Sequence, residues 1–171
     1  MVTVAIMVIV LTVAVPGFTS IISANRLTNQ ANEWLSAFHL ARTEAIKLNQ
    51  NVRLCHSADG IQCSAAPAEG WLGWIVVPEI ADPVVVASGI VNADQLILVS
   101  SSALSDQADI IRLSPQGLVR TAANAPLNAT LRVCIASGSL EDNIRDVEVR
   151  SGGRARVVEA NSGGTCEAPA N

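Results

Sequence analysis

The first fifteen residues of the chain carry no charge, and this run constrains the fold more than any other feature. It reads MVTVAIMVIVLTVAV, with two threonines as its only polar residues. As a helix such a run reaches about 22 Å, and it approaches the roughly 30 Å of a bilayer core only by continuing to Ile22. The sequence therefore predicts a membrane-spanning helix over residues 1–22.

This segment differs from a cleaved secretory signal peptide. No basic residue precedes it, and no small-residue cleavage site of the A-x-A kind follows it. We therefore expect it to be retained in the mature protein. The first basic residue, Arg26, lies after the span, so flanking charge gives no orientation.

The helical pattern continues beyond the apolar run, to about Asn49. Pro16-Gly17 should bend the helix, because proline removes a backbone donor and clashes with the preceding turn. Apolar residues then recur at three- and four-residue spacing while charged residues occupy other positions, which predicts an amphipathic helix. The apolar positions are Leu27, Ala31, Trp34, Leu35, Phe38, Ala41, Ala45 and Leu48. We expect a helix over residues 1–50 and a head domain over residues 51–171.

The head domain has the pattern of an antiparallel sheet. Short β-branched or alternating runs are separated by Gly, Pro, Asp and Ser, and Gly152-Gly153 predicts a hairpin between the last two. The predicted fold class is therefore α+β, with the long helix packed on an antiparallel β domain. The predicted strands are Val52–His56, Trp71–Val77, Val84–Val91, Gln95–Ser100, Asp109–Leu113, Leu118–Arg120, Thr130–Ala136, Arg145–Arg150 and Arg154–Glu159.

Four cysteines favour two disulfides and a head domain outside the cytoplasm. An even number of cysteines in a chain with a membrane segment suits an oxidising compartment. Counting leaves three pairings open, although Cys55 with Cys63 closes the shortest loop and leaves Cys134 with Cys166. The spacing of Cys55-His56 and Cys63 matches no zinc-site pattern, so we expect no metal.

Composition and motifs favour a non-enzymatic subunit. The formal net charge of -4 gives no general attraction to nucleic acid or to anionic lipid, so such binding would require a local patch. The chain carries no nucleophile elbow, metalloprotease helix, phosphate-binding loop or paired-carboxylate pattern. We therefore expect no catalytic residues, no cofactor and no small-molecule substrate.

Several blocks together resemble type IV pilin-like proteins, in particular FimT/FimU minor pilins and the related GspH-type pseudopilins. The resemblance covers the whole chain and is strongest over residues 1–77. The apolar helix MVTVAIMVIVLTVAVPGF carries it, with Pro16 at the position of the family's kinking proline. The matching blocks that follow are ANRLTNQANEWLSAFHLARTEAIKLNQNVRLC, Trp71–Val77 and Gly153-Arg154-Ala155-Arg156.

One expected motif is missing at the N-terminus. The family's cleavage motif, a Gly before a Phe-Thr-Leu-Ile-Glu-like stretch, is absent, because the sequence begins where that stretch should end. As given, the chain cannot be cut, N-methylated, or use the family's buried glutamate. We interpret Met1 as a displaced start or an artificial boundary, with the true N-terminus a few residues upstream.

The resemblance implies a minor pilin that assembles or initiates a type IV pilus. Such a subunit sits in the inner membrane with an extracytoplasmic head and then joins a surface pilus. Its partners would be other major and minor pilins, packed through the N-terminal helix. A pseudopilin of type II secretion is a further alternative.

A second alternative is a DNA-capturing pilin of a competence pilus. Four of the eleven basic residues, starting at Arg145, fall in a twelve-residue window, and Arg154 and Arg156 share one face of a strand. FimT-type relatives use such a Gly-Arg-x-Arg motif to hold double-stranded DNA without sequence preference, which makes Arg150, Gly153, Arg154 and Arg156 the candidate DNA-binding residues. A solvated hairpin face, helped by Asp146 and Glu148, explains the same pattern without a ligand.

Overall fold

The computed structural model describes residues 2–91, 96–138 and 140–170; the side chains of residue 2 and residues 4–18 are not among those described. Within these ranges, one long helix is followed by a β-rich head in which nine strands form two antiparallel sheets. The elements are α1 (Val2–Leu48), β1 (Val52–His56), β2 (Gly73–Pro78), β3 (Ala87–Ile90), β4 (Leu96–Ser100), α2 (Ser102–Ser105), β5 (Ile110–Leu113), β6 (Val119–Arg120), β7 (Ala129–Ile135), β8 (Ile144–Arg150) and β9 (Arg154–Ala160).

Helix α1 is 47 residues long and continues through residues 16 and 17. The bend predicted at Pro16 stays a prediction, because that side chain lies outside the described set. Within the described residues, no helix is both long and apolar enough to cross a bilayer. The helix ends where Asn49 adopts a left-handed φ of 50° and the Gln50 N–H donates to the carbonyl of Ala45, a common way to close a C-terminus.

The amphipathic stripe of α1 packs into the head, as its periodicity predicts. Its buried members are Leu27, Ala31, Trp34, Ala37, Phe38, Ala41 and Ala45. Leu48 is exposed instead, because the helix ends there and the chain turns into β1. The small alanines let the strands approach the helix closely, while Trp34 and Phe38 fill the wider space.

The first sheet has the strand order β3-β2-β1-β5-β6, and the second has the order β4-β7-β8-β9. All pairings are antiparallel, which agrees with the alternating sequence pattern. The predicted hairpin is present, with Glu148 opposite Arg156 and Arg150 opposite Arg154. The predicted start of β4 at Gln95 lies outside the described residues.

The main core lies between the helix and the inner faces of both sheets. Trp34 of α1 meets Trp71 edge to face, with ring centroids 6.2 Å apart, a favourable aromatic geometry. Trp71 and Trp74 are buried as well, so all three tryptophans belong to the core. A smaller cluster of Cys55, Ile75 and Val77 lies on the outer face of the first sheet.

Two disulfides join Cys55 to Cys63 and Cys134 to Cys166, with Cα atoms 5.6 Å and 5.8 Å apart. The second bridge ties the C-terminal tail to β7. Asn143, which is fully buried, supports the same tail, because its side-chain amide donates to the carbonyl of Thr165 at 3.3 Å. The pairing favoured by loop length is therefore the observed one.

Candidate functional site

The β8–β9 hairpin carries the candidate residues that the sequence singled out. Along these strands Val147, Val149, Ala155 and Val157 face the core, so alternation turns the intervening residues outward. The outward side chains nearest the turn are Glu148, Arg150, Arg154 and Arg156, which we call the basic hairpin. They line an open depression of about 360 Å³ together with Ala155.

Glu148 holds two of the three arginines. Its Oε2 accepts a hydrogen bond from Arg150 Nη2 at 2.8 Å and another from Arg156 Nε at 2.9 Å. Hydrogen bonding by Arg156, and then by Arg150, lowers the pKa of Glu148 below its ordinary value of 4.5. The carboxylate therefore stays ionised at neutral pH and neutralises one of the three positive charges.

Arg154 is the unpaired member of the basic hairpin. Its side chain is exposed, and it has no ion pair or hydrogen bond with any residue that the structure describes. Arg150 and Arg156 remain 48% and 70% exposed despite their contacts with Glu148. Three accessible guanidinium groups and one carboxylate give this surface a net positive charge.

Gly153 does not lie on the outward surface that the neighbouring arginines form. It is buried in the hairpin turn, with a left-handed φ of +75°, and its N–H donates to the Arg150 carbonyl at 2.9 Å. Its α-carbon packs against the carbonyl oxygen of Gly117, so a side chain there would collide with backbone. The contacts of Gly153 are those of a buried turn residue.

Arg145 belongs to the same stretch of sequence but not to the same surface. Strand alternation turns it to the opposite face from Arg150, where it is 6% exposed and its Nε lies 3.1 Å from the Glu159 carboxylate. The four-arginine window therefore contributes three arginines to the basic hairpin.

Sequence reasoning missed a second group of arginines. Arg53 on β1 lies opposite Arg112 on β5, and Arg112 lies opposite Arg120 on β6. We call Arg53, Arg112 and Arg120 the arginine row. These arginines lie up to 67 positions apart in the sequence, so their alignment is not evident from it. The only sequence signal is that each arginine occupies an outward position of a predicted strand.

The metal alternative at Cys55 and Cys63 does not hold, because the two sulfurs bond to each other. His56 is buried beside them, with its Nδ1 3.0 Å from the carbonyl oxygen of Ser64. The described part of the chain contains no group of three or more His, Cys, Asp or Glu residues placed to hold a metal ion.

The described N-terminal part of α1 offers a surface of another kind. Every residue from Thr19 to Arg26 is exposed or half-buried, and Leu27 is the first that the head covers completely. Ile21 and Ile22 are 59% and 41% exposed. The helix therefore presents apolar side chains beyond the reach of its own head domain.

A long helix that leaves an antiparallel, disulfide-linked head and carries uncovered apolar residues defines a pilin-like subunit. The sequence model of the family described as Type II transport protein GspH matches residues 30–164, and the chain belongs to this family.

Solved structures show the same fold. The type IV minor pilin FimU of Pseudomonas aeruginosa strain PAO1, in space group P21, is similar with a TM-score of 0.53 and 15% identity, over 79% of this chain and 90% of that one. The same protein in space group P65 gives a TM-score of 0.52 and 15% identity, over 77% and 92% of the two chains. No curated protein matches the chain.

Proposed function

We propose that the chain is a minor pilin that enters a type IV pilus through its N-terminal helix and helps to assemble or initiate the filament. The observation that carries this proposal is the uncovered apolar surface at Ile21 and Ile22, on a helix whose described side chains are first fully covered by the head at Leu27. The GspH family membership and the FimU-like fold support it.

The physical argument is the cost of leaving that surface in water. Burying a large aliphatic side chain contributes about 1.5 to 3 kcal/mol, so a helix with exposed isoleucines gains stability when similar helices pack around it. In the membrane, lipid covers the same surface before assembly. We therefore place the subunit first in the inner membrane, with its head outside the cytoplasm, and afterwards in a surface pilus beside other pilins.

Complementation in the source organism tests this function. A strain without the gene is expected to lose surface pili, and the wild-type gene is expected to restore them. Ile21→Asp with Ile22→Asp should fail to restore pili while the protein still accumulates, because the helix can no longer pack with its neighbours. Thr43→Asp, on an exposed position of the head-bound part of α1, is the matched control and should restore them. Normal piliation without the gene would contradict the proposal.

The same strains distinguish a pseudopilin of type II secretion, which the description of the GspH family favours. In that case the deletion should block export of secreted enzymes and leave the pili unchanged. Export is measured as enzyme activity in the culture medium. A defect in export alone would replace the pilus assignment with the secretion assignment.

A second candidate function is the capture of double-stranded DNA by the basic hairpin. Arg154 favours it, because this exposed guanidinium has no partner in the described part of the chain and stands beside two further exposed arginines. Guanidinium groups pair with phosphate oxygens through two parallel hydrogen bonds. Contacts of this kind read the DNA backbone, so binding should be independent of sequence and weaken as salt rises.

Duplex DNA titrated against the full chain in neutral detergent tests the capture. Arg154→Gln should reduce the affinity and lower the salt dependence by about one phosphate contact. Lys47→Gln is the control, since it removes the same charge from an exposed side chain that pairs with Glu44. Equal losses in the two variants would contradict a specific role for the hairpin.

A further inference from the structure

We propose that the arginine row of the first sheet is a second phosphate-binding site, which takes the backbone of a nucleic acid. The inference deepens the proposed DNA capture and rests on it for the choice of ligand. It depends on three observations: the cross-strand alignment of Arg53, Arg112 and Arg120, their shortage of carboxylate partners, and the main-chain bond that joins this sheet edge to the basic hairpin.

The alignment is a direct consequence of strand register. Arg53 pairs with Arg112 across β1 and β5, and Arg112 pairs with Arg120 across β5 and β6. The neighbours Leu54, Ile111 and Val119 face the core, so all three arginines leave the sheet on its outer face. With strands roughly 4.8 Å apart, the row extends for about 10 Å across the sheet.

Like charges directly opposite each other destabilise a sheet, and one carboxylate offsets them here. Glu79 Oε2 accepts a hydrogen bond from Arg112 Nε at 2.7 Å, and Glu79 Oε1 lies 3.6 Å from Arg53 Nε. The Arg53 Nε is buried and makes no hydrogen bond with the described residues. Two guanidinium groups therefore share a single carboxylate.

Arg120 is left without a partner. Its half-buried guanidinium makes no ion pair or hydrogen bond with any residue in the described part of the chain. The row and Glu79 together carry a net positive charge. The charge of Arg120 is therefore available to an external anion.

An open depression of about 270 Å³ adjoins the row. Its lining contains both Arg53 and Arg112 with Glu79, Gln107, Ile110 and Ala122. The Ala122 carbonyl accepts a hydrogen bond from Arg112 Nη1 at 3.2 Å, which fixes that guanidinium at the edge of the depression. An anion entering here therefore meets a guanidinium whose orientation is already fixed by Glu79 and Ala122.

A polymer with repeated charges suits this site better than a single small anion. Three guanidinium groups in a line can contact successive phosphates. On each strand of duplex DNA the phosphate charges recur about every 3.4 Å along the helix axis. Ten of the eleven basic residues of the chain are arginine, the side chain whose planar fork matches a phosphate group.

The strand that carries Arg120 is also hydrogen-bonded to the turn of the basic hairpin. The Val119 N–H donates to the carbonyl of Ser151 at 3.0 Å, and these two residues adjoin Arg120 and Arg150 in the sequence. A nucleic acid held at the hairpin therefore has further positive charge close to the same end of the head.

Duplex DNA binding to the full chain in neutral detergent tests the proposal, by fluorescence anisotropy across a range of salt concentrations. Arg120→Gln is the informative variant, because its guanidinium makes no ion pair or hydrogen bond with the described residues and the variant keeps most of the side chain. We expect a loss of about three- to tenfold in affinity and a fall of about one in the salt slope, with an unchanged thermal midpoint. Lys47→Gln supplies the matched loss of charge and should change the affinity less.

The outcomes separate this site from the hairpin. If Arg154→Gln weakens binding and Arg120→Gln does not, the arginine row is not part of the interface and hairpin capture stands. If only Arg120→Gln weakens binding, the row stands and the hairpin assignment fails. No binding by the wild-type chain overturns both. If polyglutamate binds as tightly as DNA, and Arg120→Gln reduces its binding equally, the site recognises carboxylates and the phosphate assignment is wrong.

Discussion

The α-carbon of Gly153 packs directly on the carbonyl oxygen of Gly117, so the tip of the β8–β9 hairpin is fixed against the loop before β6. Arg42 of α1 donates from its Nε to the same oxygen at 3.1 Å. The helix, the first sheet and the hairpin thus meet at one carbonyl group. The glycine of the Gly-Arg-x-Arg segment is therefore required by the fold, whatever the arginines bind.

Gly153→Ala should destabilise the protein strongly. The left-handed φ of +75° is unfavourable for alanine, and its Cβ would collide with the Gly117 carbonyl. We expect a loss of about 2 to 4 kcal/mol in the free energy of unfolding, measured by urea denaturation.

Gly152→Ala is the matched control in the same turn. Nothing lies within 4 Å of the position that a Cβ would take at Gly152, and its φ is not left-handed. The expected change is within about 0.5 kcal/mol. If the two variants were equally stable, the proposed packing of Gly153 on Gly117 would be wrong.

Removal of the Cys134–Cys166 bridge should cost more stability than removal of the Cys55–Cys63 bridge. The two bridges span 32 and 8 positions, and the longer loop restricts the unfolded chain more. Paired Cys→Ala variants should lose about 3 to 4 and about 2 to 3 kcal/mol, respectively, in urea unfolding. The reverse order would show that native-state contacts, not loop closure, dominate.

Asp109 joins the two sheets through a partly buried hydrogen-bond network. Trp71 Nε1 donates to Ser100 Oγ at 2.9 Å, and Ser100 Oγ donates to Asp109 Oδ1 at 2.5 Å. The other carboxylate oxygen accepts from the Ala66 N–H at 2.8 Å. Asp109 is only 4% exposed, so this network connects β4 of the second sheet to the start of β5 in the first.

Asp109→Ala should lower the free energy of unfolding by about 1 to 3 kcal/mol, because it leaves partly buried donors without an acceptor. The loss is measured by thermal or urea denaturation of the full chain in detergent. Asp106→Ala, at an exposed carboxylate nearby, is the control and should change stability by less than about 0.5 kcal/mol. Equal effects would mean that the network contributes little.

The strands were largely predictable because their local pattern and their tertiary role agree. Alternation in β7 and β8 marks one face for the core, and the observed ladders follow that alternation. The division into two sheets could not be predicted, because pairing partners such as β1 and β5 are far apart in sequence. Short apolar runs specify a strand without specifying its neighbour.

The basic hairpin and the arginine row also differ in how far the sequence predicts them. Arg154 and Arg156 were found from sequence because a single hairpin carries them, and a two-residue spacing is enough to place them on one face. Arg53, Arg112 and Arg120 come from three strands, and only the register reveals that they are aligned. Arg145 is close to Arg150 in the sequence, but strand alternation turns its side chain into the protein interior. Counting basic residues in a sequence window did not indicate this difference.

The pH dependence of stability should reveal the contacts of Glu148. Hydrogen bonds from Arg156 and then Arg150 lower its pKa below the ordinary 4.5, so the folded state favours the ionised form. This contribution is therefore complete above pH 4.5 and is lost as pH falls through the lowered value. Glu148→Gln removes it at every pH. The stability difference between wild type and variant, from urea unfolding, should be constant near neutrality and shrink as the pH falls below 4.5. A difference independent of pH would contradict ionised contacts at Glu148.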